Sequence, residues 1–364
     1  MRRLSLFFAL ASVSLFSRQI DSSDYSSPPL AEEEEEKNPD PSLVDLERWS
    51  DSFVLETRKI EIPGYPTSFN PSLVRWGDSY LLSFRIRNLA TGSTNQIGLA
   101  WLDADFHLIS ETKVLKVRGV GQSYPCKQQD PRLILVGGRL YMVFSNSIEG
   151  IPRDIRRMYI AELHIEGGEF YIQSPECITR FSGETPQRWE KNWVPFDYEG
   201  NLLMAYSLFP HRILRPNLGT GSCETIASTF RELHWKWGAL RGGTPALILN
   251  DDEYLAFFHS SVLLSTVHSK GRKIQHYFMG AYTFSRSIPF SIIRISPKPI
   301  VGKNFYRGPA YRTWKPLRVV LPCGFSIDER FIWVVYGRQD HEIWVAKLDK
   351  KGLLDSLVNY DRKG

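Results

Sequence analysis

Five times along the chain a polar or turn-forming residue beside proline or tryptophan opens a short apolar run. A tight turn follows, and a second run of aromatic and β-branched residues ends on a polar or small residue. The five stretches are Asn70-Pro71 to Phe84-Arg85, Asp130-Pro131 to Phe144-Ser145, Asn192-Trp193 to Tyr206-Ser207, Thr244-Pro245 to Phe258-His259, and Pro322-Cys323 to Tyr336-Gly337. Gly-Asp, Gly-Gly, Glu-Gly, Asp-Asp and Asp-Glu pairs separate the runs. They predict hairpins whose second strands are residues 79–84, 139–144, 202–206, 253–258 and 331–336. Outer strands are expected at 96–102, 158–165, 223–229, 277–284 and 341–348, with extensions at 169–173 and 290–295. No long amphipathic helix is predicted.

The openers recur roughly every 50 to 80 residues, more than one hairpin needs and enough for a four-stranded blade. The fold class predicted is therefore all-β, a five-bladed β-propeller over residues 46–364. A two-sheet sandwich would not need matched openers at this period. In a propeller the innermost strands converge on one central well, so five distant segments can surround one ligand.

Composition changes this picture at the margins. Aromatic residues make up 13% of the chain, with 10 Trp, which suits β-rich packing first and a sugar-binding surface second. The formal net charge is +5 although Glu32–Glu36 alone supplies five acids. The cations are scattered, and no nucleic-acid-binding signature accompanies them, so no nucleic-acid partner is expected. Arg2-Arg3 followed by the apolar stretch 4–16 predicts a signal peptide or N-terminal anchor over residues 1–20. A secreted or periplasmic protein is expected, with membrane contact only through that segment if it is retained. Residues 21–45, rich in Ser, Pro and Glu, are too polar to pack and read as a linker. The cysteines at 126, 177, 223 and 323 form no Cys-x-x-Cys; one or two disulfides and buried free thiols stay open as alternatives.

Candidate chemistry follows from which polar residues stand at the start of an inner strand. Asp130, in Gln128-Gln129-Asp130-Pro131-Arg132, is a carboxylate at a strand entrance beside an arginine and a proline that withholds its N–H. It could serve as acid or base, or form a structural ion pair with Arg132. Lys191 beside Asn192 suits a sugar hydroxyl or a phosphate. Arg85 and His259 close their hairpins, and Asp340 leads the last outer strand. Phosphate loops, zinc-protease motifs and nucleophile elbows are absent.

Taken together these segments resemble glycoside hydrolase family 130, five-bladed propellers that include mannosyl-phosphorylases and β-1,2-mannosidases. Asn70 with Arg85 is similar to a family pair that holds the sugar. Asp130-Pro131-Arg132 resembles the family motif whose aspartate is the general acid. Lys191 matches a lysine near the reacting centre. Residues 244–259, ending in His259, and 277–281, beginning with Tyr277, resemble two further family segments. Asp340, in the segment 321–340, matches a sugar-contacting aspartate. The resemblance covers most of 53–350. Gln129 replaces a common glutamate, Arg338-Gln339 replaces small residues, and a full set of phosphate-binding cations cannot be mapped. Arg153, Arg156, His211 and Arg212 are candidates by type.

The resemblance implies an inverting glycosidase or phosphorylase acting on β-mannosides or related glycans. Asp130 is the acid, and Asn70, Arg85, Arg132, Lys191, Asn192, His259, Tyr277 and Asp340 bind substrate. The expected partners are a glycan and, for phosphorolysis, inorganic phosphate; no metal or cofactor is expected. Export favours hydrolysis, whose base could be Glu184, Glu190, Asp197 or Glu224. A mannosyltransferase on the same fold and a non-catalytic secreted glycan-binding propeller are the alternatives, with a rim-binding scaffold protein behind them.

Overall fold

The structure, a computed structural model, describes residues 43–360 apart from 88–94, 122–126, 148–154, 182, 231–234, 312 and 314. The predicted signal or anchor segment, nearly all of the linker, Cys126 and Arg153 lie outside the described residues. Among the described residues no helix is long and apolar enough to cross a membrane.

The chain is all-β, and its strands fall into five sheets in a β-propeller arrangement. Each predicted phrase is the inner part of one sheet. Ser68–Trp76 pairs with Ser79–Arg87, Gln129–Val136 with Arg139–Ser147, and Val194–Tyr198 with Asn201–Leu208. Leu247–Ile248 pairs with Glu253–Leu264, and Val320–Ile327 with Phe331–Arg338. Gly137-Gly138 and Glu199-Gly200 make two of the turns with positive φ at both positions, the geometry that matches strand twist. The strands run longer than their apolar cores. Alternation weakens at strand ends, while ladder pairing continues through polar residues such as Arg85 and Arg87.

One strand differs from expectation. His211–Asn217, for which no strand is predicted from the sequence, is the third strand of its sheet, paired with both neighbours. Arg215-Pro216 disguised it, because proline at a ladder position breaks the pattern that marks a strand.

Closure of the ring comes from the front of the described chain. Val54–Ile60 pairs antiparallel with Glu342–Asp349, with Ile60 opposite Ile343 and Val54 opposite Leu348, and so forms the outer edge of the last sheet. That sheet therefore holds strands from both ends of the described chain. Apolar clusters fill the space between neighbouring sheets. Leu82 and Phe84 of the first sheet meet Val335 and Val345 of the last. Leu99 meets Leu133 and Phe144, Ile134 meets Trp193, Phe196 meets Phe284, and Phe257 meets Phe325. Much of the aromatic content is spent in these seams, as packing of planar side chains between twisted sheets favours.

At the axis the inner strands approach too closely for side chains. A Cβ on Gly324 would stand 2.6 Å from the Leu73 backbone nitrogen, and one on Gly337 2.2 Å from Asn70 Oδ1. Glycine at these positions is what lets the last sheet meet the first.

Two buried histidines, His211 and His276, have their pKa lowered to about 4, chiefly by burial, and His259 at the axis is lowered to about 3. Each folded value lies below the unfolded one. The folded state therefore takes up its proton later as pH falls, and stability is full above pH ~6.5 and lost on the way to pH ~4. The slope is about 1.4 kcal/mol per pH unit for each histidine. Denaturant unfolding at pH 7, 6 and 5 should show this steep decline. A flat profile would mean that the three rings carry protons in the folded state.

Candidate active site

The axial ends of the inner strands share an unusual backbone state. Asn70, Asp130 and Asn192 have φ of 51°, 55° and 61°. Asparagine and aspartate tolerate this left-handed region better than other non-glycine residues. In the first two sheets the residue sits in a bulge, where the register breaks between Phe69 and Ser72 and between Gln129 and Arg132. Such a bulge bends the strand and re-aims one side chain. The last sheet also bulges between Pro322 and Gly324. Beyond it Gln339 and Asp340, at φ 58° and 50°, form a tight turn closed by His341 N–H donating to the Arg338 carbonyl at 3.1 Å. Two non-glycine residues there cost about 1–2 kcal/mol each, strain of the kind found where side-chain placement matters more than stability.

These backbone states converge on Asp130. Its side chain is only 12% exposed. Asn70 Nδ2 donates to Oδ1 at 2.8 Å, and Arg85 Nη1 stands 3.5 Å from the same oxygen. Burial works to raise its pKa. The charges of Arg85, Lys191 and Arg132 and the Asn70 hydrogen bond outweigh it and hold the carboxyl at about 2. Asp130 is thus a carboxylate at every physiological pH. Lys191 Nζ donates to Gln129 Oε1 at 2.9 Å, next to it. Arg85 also donates through Nε to Asn95 Oδ1 at 2.8 Å, and its guanidinium lies 4.8 Å from the Phe69 ring centre.

Arg132 is almost wholly buried, at 1% exposure. It donates to the main-chain carbonyls of Gly243, Asp130 and Pro131. Its charge reaches Asp130, while its hydrogen bonds brace the backbone between the second and fourth sheets. Asn192 also serves through its backbone, its carbonyl lying 2.1 Å from where a Cβ on Gly242 would be. His259 is buried and stacks on Tyr277 with ring centres 6.1 Å apart. Burial, then Arg241 and Arg132, lowers its pKa to about 3, so it stays neutral. Tyr277 is raised by burial and then by the negative charge of Asp340.

Two cations at this centre were not singled out from the sequence. Arg87 packs 4.9 Å from the Phe69 ring beside Arg85, and both Asp340 and Asp130 act on it. Period-two alternation from Arg85 was the signal that could have found it. Arg241 lies opposite His259 in a two-residue strand too short to read. Cys323, in the bulge of the last sheet, is raised to about 12 by burial, with Asp130 and Asp340 adding to it, and is an inert thiol.

The comparisons with known proteins agree with this architecture. No family model matches the chain. A 77-residue stretch is 42% identical to Beta-mannosyltransferase 3 of Candida albicans, covering 20% of this chain and 14% of that protein. Among solved structures, Beta-1,2-mannobiose phosphorylase from Listeria innocua is 14% identical with a TM-score of 0.53, over 82% of this chain and 92% of that one. MPT-1, a GDP-Man-dependent mannosyltransferase from Leishmania mexicana, is 11% identical with a TM-score of 0.54, over 82% and 91%. A GH130 structure from work on glycoside hydrolases that target β-1,2-mannosidic linkages in Candida mannan is 16% identical with a TM-score of 0.55, over 79% and 85%. The resemblance to glycoside hydrolase family 130 holds at the level of fold.

Other expected residues lie elsewhere. Arg156 is buried and donates to the Lys127 carbonyl at 2.7 Å, His211 sits in the seam between the third and fourth sheets, and Arg212 is held by Glu184 through two contacts of 2.8 Å. Glu184 and Arg212 line a groove of about 600 Å³ on the third sheet, with Glu224. Glu190 is buried and accepts from Gln187 N and Trp193 Nε1, while Asp197 accepts from the turn at Gly200. Cys177, Cys223 and Cys323 are free thiols. Among the described residues no three His, Cys, Asp or Glu side chains cluster to hold a metal.

The folded pKa of Asp130 lies below its unfolded value, so its ionisation stabilises the fold above pH ~4 and ceases to do so as pH falls toward 2. The difference corresponds to about 2 kcal/mol. Asp130→Asn should therefore lose about 2 kcal/mol at pH 7, a gap that shrinks below pH ~4. Equal stability of the two proteins at pH 7 would show that the surrounding cations are balanced by another group.

Proposed function

We propose that the five sheets are the blades of a five-bladed propeller, and that the chain is a glycan-active enzyme transferring a mannosyl group. The donor carries its sugar on phosphate, and the acceptor is a β-mannoside or related glycan. One observation carries this reading: Asp130 is already ionised and stands among Arg85, Arg132 and Lys191, with Arg87 and Arg241 close by. Burial aside, the groups that act most strongly on that carboxylate are three cations and a hydrogen-bond donor.

In glycoside cleavage Asp130 would be the general acid expected from the sequence. A carboxyl held at about 2 is poorly supplied with the proton that role requires. In the transfer direction it takes the opposite task, as a base that is fully ionised though weak at a pKa of about 2. The acceptor oxygen attacks the anomeric carbon while its proton passes to Asp130. The bond from that carbon to the phosphate oxygen breaks on the opposite face, and its electron pair leaves on the phosphate. The configuration inverts, and Asp130 returns the proton to solvent. Arg85 and Lys191 stay with Asp130 and Gln129. Arg87 and Arg241 are therefore the cations assigned to the charge that develops on the leaving group, a contribution of several kcal/mol when such groups are fixed in advance. Asn70, Asp340, Tyr277 and His259 border the space for the transferred sugar.

The 42% identity to a Candida β-mannosyltransferase over 77 residues supports transfer, as does the fold shared with MPT-1. Phosphorolysis is the second reading, because the same cations suit inorganic phosphate. Hydrolysis is disfavoured because it uses none of that positive charge.

Incubating the protein with a nucleoside-diphosphate mannose and β-mannoside acceptors should yield an elongated β-mannoside and free nucleoside diphosphate. Asp130→Asn should slow this by about 10²–10⁴-fold, the usual contribution of a general base. Cleavage of β-mannosides in phosphate-free buffer with no response to nucleotide donor would overturn the transfer reading. Full turnover by Asp130→Asn would overturn the assignment of the base.

A further inference from the structure

Among the large apolar side chains left in water, Trp189 is distinguished by what holds its backbone. The residue is 53% exposed, with the Arg188 guanidinium 5.3 Å from its ring centre. Yet the segment 187–190 is fastened from several sides. Arg156 N donates to Arg188 O at 3.0 Å, and Glu190 N donates to Arg156 O at 3.1 Å, bridging Trp189 to the start of the strand Arg156–Glu166. Arg157 Nη1 donates to Gln187 O at 2.8 Å. Glu190 is buried and accepts from Gln187 N at 2.7 Å and Trp193 Nε1 at 3.2 Å, so its side chain turns inward where Trp189 turns outward.

Two anchors tie this segment to the stretch that carries Asp130. Lys191, two residues on, donates to Gln129 Oε1, and Arg156, bridged to Trp189, donates to Lys127 O. The indole is thus presented by braced backbone that is hydrogen-bonded, through Lys191 and Arg156, to the stretch carrying Asp130, not by a loose loop. Leaving that much apolar surface in water costs free energy that burial would recover. A rigid aromatic face suits a ligand with an apolar flank and a polar rim, which describes the faces of a pyranose ring.

We propose that Trp189 is the stacking platform for a sugar ring of the glycan acceptor, one or more residues away from the reacting centre. It thereby sets the preference for acceptor length. The proposal rests on the mannoside reading above and deepens it.

Calorimetric titration of the protein with β-1,2-linked mannooligosaccharides of increasing length tests it. Wild-type affinity should rise with length, and Trp189→Ala should abolish the rise and weaken binding of the longest ligand by up to about tenfold, what one aromatic contact supplies. Trp189→Phe should keep most of the effect. Trp189→Leu, which keeps an apolar side chain but no ring, should lose it and guards against a folding defect in the alanine variant. Wild-type length dependence in both Trp189→Ala and Trp189→Leu would overturn the platform while leaving the mannoside reading intact. Failure of the wild-type protein to bind any of the series would overturn the mannoside reading, and the platform with it.

Discussion

The charge balance around Asp130 is the interaction on which the centre of this molecule depends. Arg85 comes from the first sheet, Arg132 from the second, and Lys191 from the approach to the third. Brought together without a carboxylate, these cations would repel across a poorly solvated well. With Asp130 ionised and bonded to Asn70, they become a fixed positive environment around one negative group. The same balance that lets the sheets meet thus leaves positive charge available to an anionic ligand. Stability and proposed chemistry draw on one arrangement.

The backbone enforces that arrangement. Left-handed Asn70 and Asp130 in their bulges, and the left-handed pair Gln339-Asp340, hold polar side chains at the axis against local conformational preference. The seams between sheets, and the strand Val54–Ile60 that completes the last of them, supply the cooperative packing that makes such strain affordable. Arg132 works from beneath, its guanidinium bridging carbonyls of two sheets. Rigid placement of this kind is what preorganised electrostatic stabilisation requires.

Much of this was legible in the sequence, because hairpin periodicity and proline-marked openers are local signals. The five inner hairpins, and Asn70, Arg85, Asp130, Lys191, His259 and Asp340 near one centre, follow from them, while Tyr277 came only from the family resemblance. What escaped is non-local or disguised. Pro216 hid the strand His211–Asn217, and nothing in Val54–Ile60 announces that it pairs with Glu342–Asp349 some 290 residues away. Arg241 belongs to a strand of two residues, and Arg132, expected at the substrate, spends its donors on carbonyls that only the folded chain brings near. The ionisation of Asp130 was equally hidden, since burial and charge pull in opposite directions and only the distances decide.

Asp130 is an anion in the free protein on this reading, and following its own titration decides the matter. Side-chain carboxyl carbon resonances of ¹³C-aspartate-labelled protein, with Asp130 assigned by difference from Asp130→Asn, can be followed from pH 8 down to the onset of acid unfolding. A resonance at the ionised position, constant through that range, is the predicted result. A midpoint above the ordinary aspartate value of about 4 would contradict the account and return Asp130 to the role of a protonated acid.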